Sequence, residues 1–157
     1  MKNDYLNIYN NLIKLTRNKN LYYNLKNKDT FSDRLVILLL HFSFFLKTYK
    51  NSLSKEEAQD LFDFIVRQIE LSIREIGYGD VSVNKKMKDY VNLFYSILEK
   101  IENWDTFDKS KKTKLFTDLM NIKEDNVSFI QYFDKYSDFL TKNSLKNFTK
   151  DILELKF

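Results

Sequence analysis

A chain of 157 residues with 43% apolar and 31% charged side chains has enough apolar surface for one core of ordinary size, which argues against global disorder. Two glycines, no proline and no cysteine disfavour turn-rich sandwiches and barrels, exclude disulfides, thiolate nucleophiles and Cys-ligated zinc, and point to an all-α fold. The net charge of +4 is a modest surplus spread along the chain rather than one basic tract; DNA is not an expected partner, while a positive face for ribosomal RNA or anionic lipid stays open.

In chain order, Tyr5 to Leu15 has helical period, and a short piece follows over Leu21 to Leu25. Thr30-Phe31-Ser32-Asp33 reads as a helix start before the most apolar run, Leu35 to Leu46, giving a helix over about 31–49. That run is short of the ~20 residues a membrane-spanning helix needs. Met1 to Tyr5 lacks the apolar stretch of a secretory signal, so the chain is expected to be soluble and cytoplasmic. Lys50 to Leu53 reads as a short turn that makes this helix and the next antiparallel neighbours.

Ser54-Lys55-Glu56-Glu57 has the form of a capping box and opens a helix over about 55–77, with Ala58, Phe62, Ile65, Ile69, Ile73 and Ile76 as its core stripe. A third strong helix is expected over about 84–102, burying Met87, Tyr90, Val91, Phe94, Ile97, Leu98 and Ile101. Residues 103–114, with Lys109, Lys111, Lys112 and Lys114, read as a solvated connection or helix start. Leu115 to Ile122, then Phe129, Phe133, Tyr136 and Leu140, and a last helix from Ser144 carrying Leu145, Phe148 and Ile152 complete a single-domain bundle of six to eight helices.

Catalytic signals are sparse. The one histidine, His41, sits in the most apolar helix with Ile37, Leu38, Phe44 and Phe45 at i±3 and i±4, and reads as a buried structural residue. The Glu-x-x-His pairs of helical di-iron sites are missing, and Gly77-Tyr78-Gly79 lacks the context of a phosphate loop. No cofactor and no metal are expected, and the chain is not read as an enzyme.

The more informative feature is the junction of the second and third strong helices. Gly77 stands where a helix must stop, because a residue with φ > 0 is least strained there. Gly79 lets the backbone turn again, and Asp80 with Ser82 or Asn84 stands before the next helix as caps. Arg74 is placed to reach the last carbonyls of its helix or the Asp80 carboxylate. These residues either fix a corner or offer a contact surface.

Ile73-Arg74-Glu75-Ile76-Gly77-Tyr78-Gly79-Asp80, followed by Val83 and Lys86-Met87-Lys88, resembles the signature of the ubiquinol-cytochrome c chaperone family. Asp29-Thr30-Phe31, Asp33-Arg34, Leu40-His41, Leu61-Phe62-Asp63 and Phe94-Tyr95 are similar to its other segments, in the same order over about 20–102. Asn84 replaces the usual proline, a change its own capping ability offsets, and Ser96-Ile97 replaces a Gly-Arg, which removes a charge.

The resemblance implies a non-catalytic assembly chaperone of the cytochrome bc1 complex. Its client would be nascent cytochrome b or another bc1 subunit, met near the ribosome, with a small partner protein and a peripheral contact at the inner membrane, on the matrix side if organellar. Arg74, Glu75, Gly77, Gly79, Asp80, Lys86 and Lys88 are the candidate partner contacts, with a purely structural role in the corner as the alternative. A soluble helical protein could offer such a client an apolar groove. Phe64 and Leu71, off the stripe of their helix, belong either to an exposed apolar patch or to a core shared on two sides. The alternative function is a helical module binding RNA, the ribosome or an anionic membrane surface.

Overall fold

The computed structural model describes residues 2–22, 30–120 and 127–150. Leu25, Asp29, Ile122 and Ile152 lie outside them. The described residues form seven α-helices and no strand: α1 Lys2–Thr16, α2 Phe31–Tyr49, α3 Lys55–Glu75, α4 Asp80–Ile101, α5 Lys109–Met120, α6 Val127–Lys142 and α7 Leu145–Phe148, with single 3₁₀ turns at Lys19–Tyr22 and Trp104–Thr106.

The capping signals act as their chemistry requires. Thr30 accepts a hydrogen bond from the Asp33 amide at the start of α2, and Ser54 and Glu57 close a reciprocal capping box at the start of α3. α2 then buries every residue from Ile37 to Phe45, including His41 and Ser43, because neighbours surround it on all sides. It is the central helix.

Contacts set the direction of each neighbour. Phe42 stacks on Phe94 with ring centroids 5.0 Å apart, and Lys50 reaches Glu102 at 3.1 Å, so both pairs join residues 52 apart and α2 and α4 run parallel. His41 meets Tyr132 and Tyr49 meets the Leu140 carbonyl, both 91 residues on, so α6 is parallel to α2 as well. α3 is packed closest to α4 rather than to α2, its expected neighbour across the turn. The reason lies in side-chain size: the space between α2, α3 and α4 is filled by Leu39, Phe42, Phe62, Ile65, Met87 and Phe94, leaving a gap of about 10 Å³.

Large rings form the rest of the core. Phe44 contacts Trp104, Phe133 and Tyr136, and Phe116 continues the cluster to Trp104, Phe129 and Phe133. Trp104 is 1% exposed, so the stretch expected as a solvated connection or helix start holds a core residue, and the helix start falls within it at Lys109. Its indole N–H donates to Asp134 at 3.0 Å, and Lys112, from the supposedly solvated basic group, binds the same carboxylate at 2.9 Å and lies over the indole ring. Asn11, fully buried on α1, donates to the carbonyls of Phe148 and Lys150 and ties α7 down.

Candidate functional site: the corner between α3 and α4

α3 ends at Glu75, and Ile76 donates back to the Ile73 carbonyl before Gly77 adopts φ +104°. This is the expected helix stop, and only at Gly77 does the backbone need glycine. Gly79 has φ −73° and ψ 165°, an extended conformation open to any residue, so its expected turning role is not required. A methyl group at either position would meet open space. Gly77→Ala is therefore expected to cost about 1–2 kcal/mol from the left-handed backbone alone, and Gly79→Ala close to nothing. Urea denaturation of the two variants checks the contrast; equal losses would mean that φ at Gly77 is not what limits it.

α4 starts at Asp80, four residues before the expected start, with Gly79 as its N-cap and no side-chain capping bond. Asp80 is thus the first residue of the helix rather than a cap before it. Ser82 and Asn84 lie inside α4, so the capping assigned to Asn84 does not occur. Asp80 still complements the positive helix end as an acidic first-turn residue.

Arg74 links the two helices. Its Nη1 donates to Asp80 Oδ1 at 2.5 Å and its Nη2 to Glu70 Oε1 at 3.2 Å, while Arg67 donates to Glu70 Oε2 at 2.8 Å. Hydrogen bonds from Arg67 and then Arg74 hold the Glu70 carboxyl below its usual range, and those to Asp80 and then Glu70 raise the Arg74 guanidinium. What these exposed pairs add is present at neutral pH and is lost on acidification through the lowered Glu70 value.

The other expected contact residues are arranged more loosely. Glu75 and Lys88 are exposed and form no ion pair among the described residues, whereas Lys86 lies 4.5 Å from the centroid of the Tyr78 ring. The corner also carries apolar side chains that the sequence reading did not place there: Ile76, Tyr78 and Val81 are 50%, 42% and 84% exposed. Ile76 was expected in the core stripe, but the helix ends one residue before it. A start at Asp80 would have revealed Val81, since the buried period Val83, Phe94, Ile97 and Ile101 puts it on the opposite face. The two off-stripe residues of α3 part ways: Leu71 is 39% exposed, while Phe64 is half-buried against Tyr5 of α1.

Fold and corner together define a small helical bundle with an ion-paired, apolar-tipped turn held out from its core. The chain belongs to the ubiquinol-cytochrome c chaperone family, whose model, described as ubiquinol-cytochrome C chaperone, matches residues 24–115. That match extends past Glu102, where the visible resemblance stops, to the start of the buried face of α5. Comparison with curated proteins and with solved structures gives no match. Membership supports a chaperone role in complex III assembly. Among the described residues no helix is long and apolar enough to cross a membrane.

Proposed function

We propose that this chain is a non-catalytic assembly chaperone of the cytochrome bc1 complex that holds newly made cytochrome b, or another bc1 subunit, at the corner between α3 and α4. The observation that carries this reading is the family match over residues 24–115, which takes in α2, α3, the corner and α4 as one unit. The corner supports it physically. Exposed Ile76, Tyr78 and Val81 offer apolar contact to a membrane-protein segment, and Arg74, Glu75, Asp80, Lys86 and Lys88 offer charges beside it. Gly77 and Gly79 belong to the same surface as its backbone turn. Work beside the ribosome with a small partner protein is part of the same proposal, on the strength of the family alone.

The test separates contact from architecture. Arg74→Ala and Asp80→Ala are expected to lower the capture of newly made cytochrome b and the b-type haem content of membranes, with thermal melting nearly unchanged, because the pair lies at the surface. Normal bc1 content in both variants, or unfolding of both, would count against a client surface at this corner.

A further inference from the structure

α6 carries two stripes of side chains. Phe129, Phe133, Tyr136 and Leu140 are buried in the core, while Ser128, Gln131, Tyr132 and Lys135 recur at helical spacing and share a second face beside it. That second face borders a cleft of about 310 Å³, closed on its far side by Asn18 and Leu21 at the 3₁₀ turn after α1. The turn is fixed by its own bonds: the Leu21 amide donates to the Asn18 carbonyl at 3.1 Å, and the Tyr22 hydroxyl donates to the Thr16 carbonyl. Both walls are thus in place before anything binds, which spares a ligand the cost of ordering them.

The lining has a definite chemistry. Leu21 and Phe129, 3% and 2% exposed, form an apolar floor. Asn18, Ser128 and Gln131 bring groups that can both donate and accept, and Lys135 brings a positive charge. No carboxylate borders the cleft among the described residues, and the side chains of Gln131 and Lys135 have no hydrogen-bond or ion-pair partner among them. The larger clefts beside Leu98 and beside Leu115 differ, because each holds lysines together with acidic side chains that offset them. Hydroxyl groups on a ligand suit amide and hydroxyl side chains, since they too donate and accept, whereas a purely apolar acid would leave those groups unpaired. A volume at the lower end of the range for small-molecule sites sets the size.

We infer that this cleft binds a small hydroxylated organic anion, with its carboxylate or phosphate on Lys135 and its hydroxyls on Asn18, Ser128 and Gln131. Tyr132 connects the site to the core, since it lines the cleft and its hydroxyl lies 2.7 Å from His41 Nε2. No residue of the corner between α3 and α4 takes part, and the site is independent of any client held there.

The experiment is an NMR titration of the isotope-labelled full chain with gluconate, ribose 5-phosphate, neutral ribose and inorganic phosphate. At least one of the two hydroxylated anions is expected to bind with a Kd of about 1 mM or tighter, and which of them does so separates carboxylate from phosphate. Binding is expected to shift the Gln131 and Lys135 amides together with the imidazole of His41, the one histidine of the chain and so a single reporter on Tyr132. Lys135→Ala is expected to weaken binding about tenfold and Gln131→Ala about threefold. Both side chains are exposed, so circular dichroism should not change. Lys142→Ala, two turns further along the same helix, is expected to leave binding as it was. Failure of both anions to shift these signals at about 20 mM overturns the inference. So do equal shifts with ribose or with inorganic phosphate, binding that survives Lys135→Ala, and amide shifts with an unmoved imidazole, which would put the ion on the helix surface instead.

Discussion

Replacing Trp104 with alanine is expected to lower the free energy of unfolding by about 4 kcal/mol, a large fraction of what a domain of this size has. The ring is almost wholly enclosed, edge-on to Phe44 at 5.2 Å and to Phe116 at 5.7 Å, so its loss leaves a cavity between α2, α5 and α6 that those stiff rings fill poorly. Asp134 also loses one of its two donors and Lys112 the face on which it rests. Trp104→Phe keeps much of the ring and gives up the N–H, and is expected to cost distinctly less. Urea denaturation followed by far-ultraviolet circular dichroism reads both. A loss below ~1 kcal/mol for the alanine variant would mean that the segment after α4 is solvated after all.

Stability is also expected to fall by about 2 kcal/mol between pH 7.5 and pH 5 through His41 alone. The imidazole is fully buried, its Nδ1 is 2.8 Å from the Ile37 carbonyl and its Nε2 2.7 Å from the Tyr132 hydroxyl. A carbonyl can only accept, so Nδ1 carries the proton and Tyr132 donates to Nε2; both bonds serve the neutral ring. Burial lowers its pKa to about 3. In the unfolded chain the group protonates near 6.5, so below that pH the unfolded state takes up a proton that the folded state refuses. The contribution is therefore complete above about pH 6.5 and is lost as pH falls toward 3, a window that opens above the one in which Glu70 acts. A His41→Gln variant should show a flatter profile between pH 7.5 and 5, though with lower stability throughout. An unchanged slope in that variant would assign the acid sensitivity elsewhere.

The contrast between these two residues explains what the sequence discloses. Thr30, Ser54 and Gly77 announce themselves because their effects act within four residues along the chain, by capping bonds and backbone strain. The all-α class, α2 and the body of α3 were legible for the same reason. Trp104 was not, because it lies in a polar stretch and is buried by Phe44, Phe116 and Asp134, which no periodicity connects to it. His41 was rightly read as structural, yet its Tyr132 partner is 91 residues away. At the corner, the Arg74–Asp80 pair could be read from spacing. The exposed tip could not, since its visibility depends on where α3 stops and α4 starts, and a helix capped by a glycine without a side-chain bond gives little warning.

The bond from Asn11 to the carbonyls of Phe148 and Lys150 spans almost the whole chain. During synthesis α1 leaves the ribosome well before the carbonyls that accept from its buried amide N–H, which are made 137 and 139 residues later. At the ordinary pace of translation that is a delay of roughly 7 to 30 s. Over that interval the Asn11 side chain stays hydrated, because burying its amide without a partner is unfavourable. α1, made before the other described helices, is thus among the last of them to reach its final seat.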